Sequence, residues 1–94
     1  MKPEKILTLH PQGKNGVNID LGKYNRLKDF ILDTLRREGE MTFTELFDQS
    51  KEVLQATFKG KVGWYLVSVK LDLEARGIIE RMPKTRPHVI HIKK

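Results

Sequence analysis

A single glycine near the C-terminus separates two stretches with different hydrophobic periods, and this change constrains the fold more than any other feature of the chain. From about residue 62 to residue 76, apolar residues recur at the spacing of a helix. Gly77 follows, and glycine adopts at no steric cost the left-handed conformation that ends many helices. Ile78–Arg81 and His88–Ile92 then have the composition of two strands joined by a six-residue loop. The pattern therefore predicts a helix that turns directly into a strand hairpin.

Two further helices are predicted before this unit. The first has apolar residues at spacings of three and four and stops at Gly39. Its apolar stripe consists of Tyr24, Leu27, Ile31 and Leu35. The second begins at Thr42, the first residue of a Thr-Phe-Thr-Glu capping box in which the Thr42 hydroxyl and the Glu45 carboxylate bind backbone amides. We expect this second helix to end before Phe58.

The N-terminal residues have a different character. Lys5–His10 is strand-like, Pro11–Gly16 is rich in turn residues, and Val17–Ile19 fits a short return strand. A chain of 94 residues has room for one domain only. We therefore divide it into an N-terminal arm or hairpin over residues 1–22 and the main body of that single domain over residues 23–94.

The order of these elements resembles the winged helix-turn-helix superfamily of DNA-binding proteins. The likeness covers about residues 24–92, and its most specific part is Leu73–Arg81, Leu-Glu-Ala-Arg-Gly-Ile-Ile-Glu-Arg, which is similar to the end of the recognition helix in many bacterial winged-helix regulators. Gly63-Trp64-Tyr65 also resembles small uncharacterised bacterial winged-helix proteins. The resemblance implies an α+β fold with three helices and a C-terminal two-stranded wing, preceded by an N-terminal β-like arm. It also implies a small bacterial-type transcriptional regulator that binds DNA.

The net charge of +6, from 18 lysines and arginines against 12 acidic residues, is unevenly distributed. Residues 59–94 carry nine bases and three acids, so the whole excess lies in this C-terminal segment. A one-sided basic surface is typical of proteins that bind a polyanion such as duplex DNA. Solubility alone is the other explanation for this charge on a small domain.

Six residues are the candidates for contact with DNA. Glycines before the third helix let backbone N–H groups approach an anion, and a helix N-terminus favours one, so the lysines there are candidates for phosphate contact. The resemblance implies that basic residues in the wing loop contact phosphates and that two residues on the third helix lie nearest to the bases. The phosphate candidates are Lys59, Lys61, Lys84 and Arg86, and the base candidates are Trp64 and Ser68. The alternatives are an ordinary loop before the helix and a solvated hairpin whose charges prevent edge-strand pairing.

The third helix carries a second apolar face, which weakens the case for base recognition, because base edges are read by hydrogen-bonding side chains. The side of the helix opposite the core presents Trp64, Val67, Leu71 and Ala75. Lys70 and Glu74 are predicted to lie along one flank of this helix and Asp72 along the other. Three explanations remain open: the N-terminal arm covers the face, a second copy or a protein partner binds it, or it faces nucleic acid. The second explanation makes the alternative function a protein-interaction or dimerisation module.

No motif for catalysis or metal binding stands out. The chain has no cysteine, and the odd spacing of His88 and His91 places them on opposite faces of a strand. Neither a nucleophile elbow nor a metalloprotease helix motif is present. We therefore expect no enzymatic activity, no metal and no cofactor.

Apolar runs in the chain are short. The longest is Trp64–Val67, far below the roughly 20 residues of a membrane-spanning helix. The N-terminal residues are followed by no apolar run that would suit a signal peptide. We expect a cytoplasmic protein with no membrane partner.

Overall fold

The computed structural model describes residues 4–14, 16–84 and 88–93, which form an α+β fold. The helices are α1 (Leu21–Glu38), α2 (Phe43–Leu54) and α3 (Val62–Ala75). The strands are β1 (Lys5–Leu7), β2 (Asn18–Asp20), β3 (Glu40–Thr42), β4 (Ile79–Arg81) and β5 (Val89–Ile92). The three predicted helices and the two strands that follow Gly77 are confirmed. Helix α1 begins at Leu21, within the segment that sequence analysis assigned to the arm.

The strands form two antiparallel sheets. β1 and β2 pair as an N-terminal hairpin in which Ile6 lies opposite Ile19. In the C-terminal sheet β5 lies between β3 and β4, so this sheet has three strands where the sequence predicted a two-stranded wing. The additional strand is β3, whose Met41 pairs with Ile90 and is buried. Strand β3 was not predicted, because its three residues are too few to show the alternation of a strand.

Strand β3 follows from the way α1 ends and α2 begins. Gly39 adopts φ = +83°, and its N–H donates to the carbonyl oxygen of Leu35 at 2.7 Å, which closes the last turn of α1. The chain then runs extended until Thr42, whose hydroxyl accepts a hydrogen bond from the Glu45 N–H at 3.1 Å. The Glu45 side chain accepts in turn from the Thr42 N–H. The predicted capping box is therefore confirmed.

One core is shared by all three helices and the C-terminal sheet. Its fully buried aliphatic side chains are Leu27, Ile31, Leu35, Leu46, Leu66, Val69, Leu73, Ile79 and Ile90. The N-terminal hairpin adds Ile19, which is buried, and Ile6, which is partly buried. Burial of each large aliphatic side chain contributes roughly 1.5–3 kcal/mol. This packing holds α3 between α1, α2 and the C-terminal sheet.

A buried carboxylate lies in α3. Asp72 is 0% exposed, whereas sequence analysis placed it on a flank of the helix. Its oxygens accept hydrogen bonds from the Leu9 N–H at 2.8 Å, from the Tyr24 hydroxyl and from the Arg76 Nε–H at 2.8 Å. The physical reason for the difference is that donors from the N-terminal hairpin, from α1 and from Arg76 at the C-cap of α3 replace the water that the carboxylate loses.

An ion-pair network lies on another side of α3. The side chains of Lys70 and Glu74, which the sequence also placed on a flank, are each 7% exposed and pair with each other. The Arg81 Nε lies 3.3 Å from the second oxygen of Glu74, and the Lys70 Nζ lies 5.0 Å from the centroid of the Phe43 ring. These contacts attach α3 to β4 and to α2, so its predicted polar flanks are interior surfaces.

We expect Thr42→Ala to lower the free energy of unfolding by about 1 kcal/mol, because the Glu45 amide at the start of α2 loses its acceptor. Thr44→Ala is the matched control: Thr44 is exposed in the first turn of the same helix, and its loss should change stability by less than about 0.5 kcal/mol. Chemical denaturation measures both values. Equal stabilities of the two variants would contradict the capping assignment.

Burial and the hydrogen bond to Asp72 raise the pKa of the Tyr24 hydroxyl from 10.0 to about 12. The neutral phenol is favoured in the folded protein, so its stabilising contribution is complete below pH 10 and is lost as the pH rises towards 12. We expect the free energy of unfolding of the wild type, relative to Tyr24→Phe, to fall across this range. Denaturation at several pH values between about 9 and 12 measures this difference, and a value independent of pH would refute the buried interaction.

Candidate functional site

The loop between α2 and α3 brings two of the candidate lysines to the start of α3. Gly60 adopts φ = +112° in this loop, and a Cβ at this position would lie 3.0 Å from the Tyr65 ring. Both the backbone conformation and the ring therefore favour glycine. Lys61 is the N-cap of α3, and its side chain caps no backbone amide. Lys59 and Lys61 are both exposed to solvent.

A groove of about 680 Å³ lies between α2 and the start of α3. Helices α2 and α3 approach each other closely beside this groove. A Cβ added at Gly63 would lie only 2.6 Å from Cζ of Phe47. Its lining side chains are apolar, basic or uncharged, and none of them is acidic. The lining residues are Phe47, Lys51, Gln55, Gly60, Lys61, Val62, Gly63, Trp64 and Val67. We call this feature the α2–α3 groove.

Two residues that line the α2–α3 groove make up the exposed part of α3. Trp64 is 49% exposed and Val67 is 38% exposed, whereas the other residues of the helix are buried or half-buried. The Trp64 indole makes an edge-to-face contact with the Tyr65 ring, with the centroids 4.9 Å apart. A half-exposed tryptophan that is held by a neighbouring ring is typical of an interaction site.

The predicted apolar face of α3 is present only in part. Leu71 and Ala75 are half-buried, so the exposed apolar surface ends at Val67. The N-terminal hairpin was one possible cover for this face. Its Ile6 is partly buried against the core, whereas Leu7 is 61% exposed and Leu9 is 43% exposed, so Leu7 and Leu9 are not buried against α3. The end of the face near the start of α3 is therefore open.

The serine and the charged side chains of α3 are already engaged within the protein. The Ser68 hydroxyl donates to the carbonyl oxygen of Trp64 at 3.1 Å. Lys70, Asp72 and Glu74 belong to the two buried networks. The helix contains no arginine, asparagine or glutamine. It therefore presents few free donors or acceptors to the edges of bases.

Lys84 lies in the turn that follows β4, on a different element from Lys59 and Lys61. It is exposed and adopts φ = +65°, which is uncommon for residues other than glycine. Arg86, the other candidate in the predicted wing loop, lies outside the described residues. The structure thus groups Lys59 and Lys61 with Trp64 and places Lys84 on a separate element.

Three further basic residues surround the start of α3, and sequence analysis did not single them out. The Nζ of Lys23 in α1 lies 5.0 Å from the centroid of the Tyr65 ring, and Arg26 of the same helix donates to the carbonyl oxygen of Thr57 at 3.3 Å. Lys51 of α2 lines the groove itself. The spacing of Lys23 and Arg26 on one helical face was the available signal, but their approach to α3 is a tertiary contact.

His91 lies in the C-terminal sheet, and His88 lies just before strand β5. The His91 Nε2 is 3.1 Å from the Glu80 carboxylate across β4 and β5, and the His88 Nε2 is 3.4 Å from Arg81. Within the described ranges, no three His, Asp or Glu side chains are grouped in a way that could hold a metal ion. In that part of the chain no helix has the length and apolar character needed to cross a membrane. The α2–α3 groove and the basic residues around it form the candidate site.

Comparison with known proteins assigns the chain to a family without assigning an activity. No curated protein and no solved structure gives a significant match. The model of one family matches residues 5–90, a range that includes the N-terminal hairpin and all three helices. The match covers most of the 94 residues. The chain therefore belongs to the Family of unknown function (DUF6958).

Proposed function

We propose that the chain is a winged-helix protein that binds duplex DNA and acts as a small transcriptional regulator. The observation that carries the proposal is the unit formed by α3 and the hairpin of β4 and β5. Lys59 and Lys61 are exposed just before the helix, and Lys84 is exposed after β4. In the winged-helix superfamily, which the sequence resembles, the wing commonly contacts phosphates or a minor groove.

Electrostatics support this proposal. The whole net charge of +6 falls within residues 59–94. Among the residues that the structure describes, no carboxylate forms an ion pair with Lys59, Lys61 or Lys84. An ammonium group without an internal partner can neutralise a phosphate and release a condensed counterion. These three lysines are thus available for contact with a polyanion.

The surface of α3 affects the expected sequence specificity of DNA binding. Because the serine and the charged side chains of α3 are held in internal contacts, we propose that most contacts are to phosphates. Trp64 and Ser68 are the residues nearest to the bases in this proposal, and the expected sequence preference is weak. The proposal includes residence in the cytoplasm and a binding role without catalysis.

We expect Lys59→Ala/Lys61→Ala to weaken binding to generic duplex DNA and to reduce the slope of log K against log salt by about 1–2 units, because each lost phosphate contact removes roughly 0.9. Lys84→Ala should reduce the slope by about one unit and leave any sequence preference intact. Fluorescence anisotropy at several salt concentrations measures both effects.

The matched control is Lys5→Ala/Lys14→Ala, which removes two exposed lysines of the N-terminal hairpin. An equal loss of slope in both double variants would mean that net charge, and not the start of α3, accounts for the binding. If the wild type shows no binding at about 50 mM salt and about 100 μM protein, the DNA-binding proposal fails.

A second candidate function is a protein-interaction or dimerisation module. The exposure of Trp64 and Val67 beside the α2–α3 groove favours it, because a concave apolar surface with a tryptophan on its wall is typical of a docking site. In this proposal Leu71 and Ala75 belong to the half-buried margin of the interface.

For this candidate we expect Val67→Glu to abolish association while lowering the free energy of unfolding by no more than about 1 kcal/mol, since Val67 is 38% exposed in the monomer. Val53→Glu is the matched control, because Val53 is 61% exposed on α2 and does not line the groove. Sedimentation over a range of concentrations detects species heavier than 10.9 kDa. A loss of stability of about 2 kcal/mol or more in Val67→Glu would instead mean that the chain itself covers this surface.

A further inference from the structure

We propose that the α2–α3 groove binds an amphipathic helix of another protein, one that carries acidic residues beside its apolar face. This inference rests on the second candidate function, and its partner would occupy Trp64, Lys59 and Lys61, the residues that the DNA-binding proposal also uses. It names the chemistry of the partner, which neither the family assignment nor the sequence supplies.

The shape of the groove suits a rod-like partner. It runs between two helices, and most of its rim is open, since Trp64, Val67, Lys51 and Lys61 are all exposed. A small molecule usually binds where 70–90% of its surface can be buried, which an open groove does not provide. An amphipathic helix covers such a groove with one face and leaves the other face in water. Trp64 supplies a large aromatic surface against which apolar side chains of the partner can pack.

The charge of the groove selects an acidic partner. Lys51 and Lys61 line it, Lys59 stands next to it in the loop, and no lining residue is acidic. The Lys51 Nζ lies 4.6 Å from the centroid of the Phe47 ring, so its ammonium group is held at the boundary between the apolar floor and water. Carboxylates on the flanks of a docked helix would meet these ammonium groups at the rim.

A second copy of this chain would fit the α2–α3 groove less well than an acidic amphipathic helix. Apart from Trp64 and Val67, the large exposed hydrophobic side chains of the described residues are Leu7, Leu9 and Val53. Leu7 and Leu9 belong to a hairpin that also carries exposed Lys5 and Lys14, and Val53 is a single side chain on α2. None of these surfaces combines a broad apolar face with flanking acids.

Trp64 is the only tryptophan in the chain, so its fluorescence reports directly on the occupancy of the groove. The probes are three synthetic helices, each about 18 residues long and free of tryptophan. The first has leucines on one face and glutamates on the other, the second has lysines in place of the glutamates, and the third has alanines in place of the leucines. Each is titrated into the full chain at about 50 mM salt, where surface electrostatics are only partly screened.

We expect the leucine–glutamate helix to shift the Trp64 emission and to bind roughly tenfold more tightly than the leucine–lysine helix. The alanine–glutamate helix should not saturate below about 500 μM, because it cannot fill the apolar groove. The variant Lys51→Glu/Lys61→Glu should reverse the preference between the first two helices. The control variant Lys5→Glu/Lys14→Glu has the same net charge and should retain the wild-type preference. Circular dichroism of both variants verifies that the fold is intact.

Four outcomes would overturn the inference. Equal affinity for the acidic and basic helices would show that charge does not select the partner. A Trp64 signal that responds to duplex DNA and to none of the helices would assign the groove to nucleic acid. A signal that changes only on dilution of the protein would assign it to a second copy. If no helix binds but Val67→Glu still abolishes an association seen by sedimentation, the acidic partner is refuted while the interaction module stands.

Discussion

A buried carboxylate connects parts of this protein that lie far apart in the sequence. Asp72 in α3 accepts hydrogen bonds from the backbone of Leu9, from the Tyr24 hydroxyl and from Arg76. An ionised oxygen that lost one of these donors would be left partly unsatisfied in an apolar surrounding, which is strongly unfavourable. The N-terminal hairpin and α1 are therefore held against α3 by a requirement for hydrogen bonds as well as by apolar packing.

This arrangement also decides which surface of α3 is available to a partner. Asp72 faces the hairpin and α1, while Lys70 and Glu74 face α2 and β4. A helix whose charged side chains point inward has little left with which to form polar contacts outside. The exposed part that remains is Trp64 and Val67, next to the groove at the start of the helix. The same contacts that stabilise α3 thereby confine the candidate site to one end of it.

Lysines packed on aromatic rings place positive charge beside the apolar groove at the start of α3. Lys23 lies over Tyr65, and Lys51 lies over Phe47. Lysine stems can cover apolar surface while their ammonium groups stay in water, so an apolar groove and a basic rim coexist over a short distance. Duplex DNA and an acidic helix are both anionic, but they would contact different parts of the groove. Phosphates would contact only the basic rim, whereas an amphipathic helix would also contact the apolar floor.

The sequence alone was sufficient for the three helices, the capping box at Thr42, the turn at Gly77 and the strands β4 and β5, because these depend on periodicity and on hydrogen bonds between residues close in the chain. It also identified Lys59, Lys61 and Trp64 as neighbours at the start of α3. Strand β3, the buried state of Asp72 and the α2–α3 groove were decided only by tertiary structure. Each depends on partners distant in sequence: Met41 pairs with Ile90, and Asp72 accepts from Leu9, 63 residues away. Periodicity shows which side of a helix an acidic residue occupies, but whether that side meets water or three hydrogen-bond donors is set by the packing of the other elements around it.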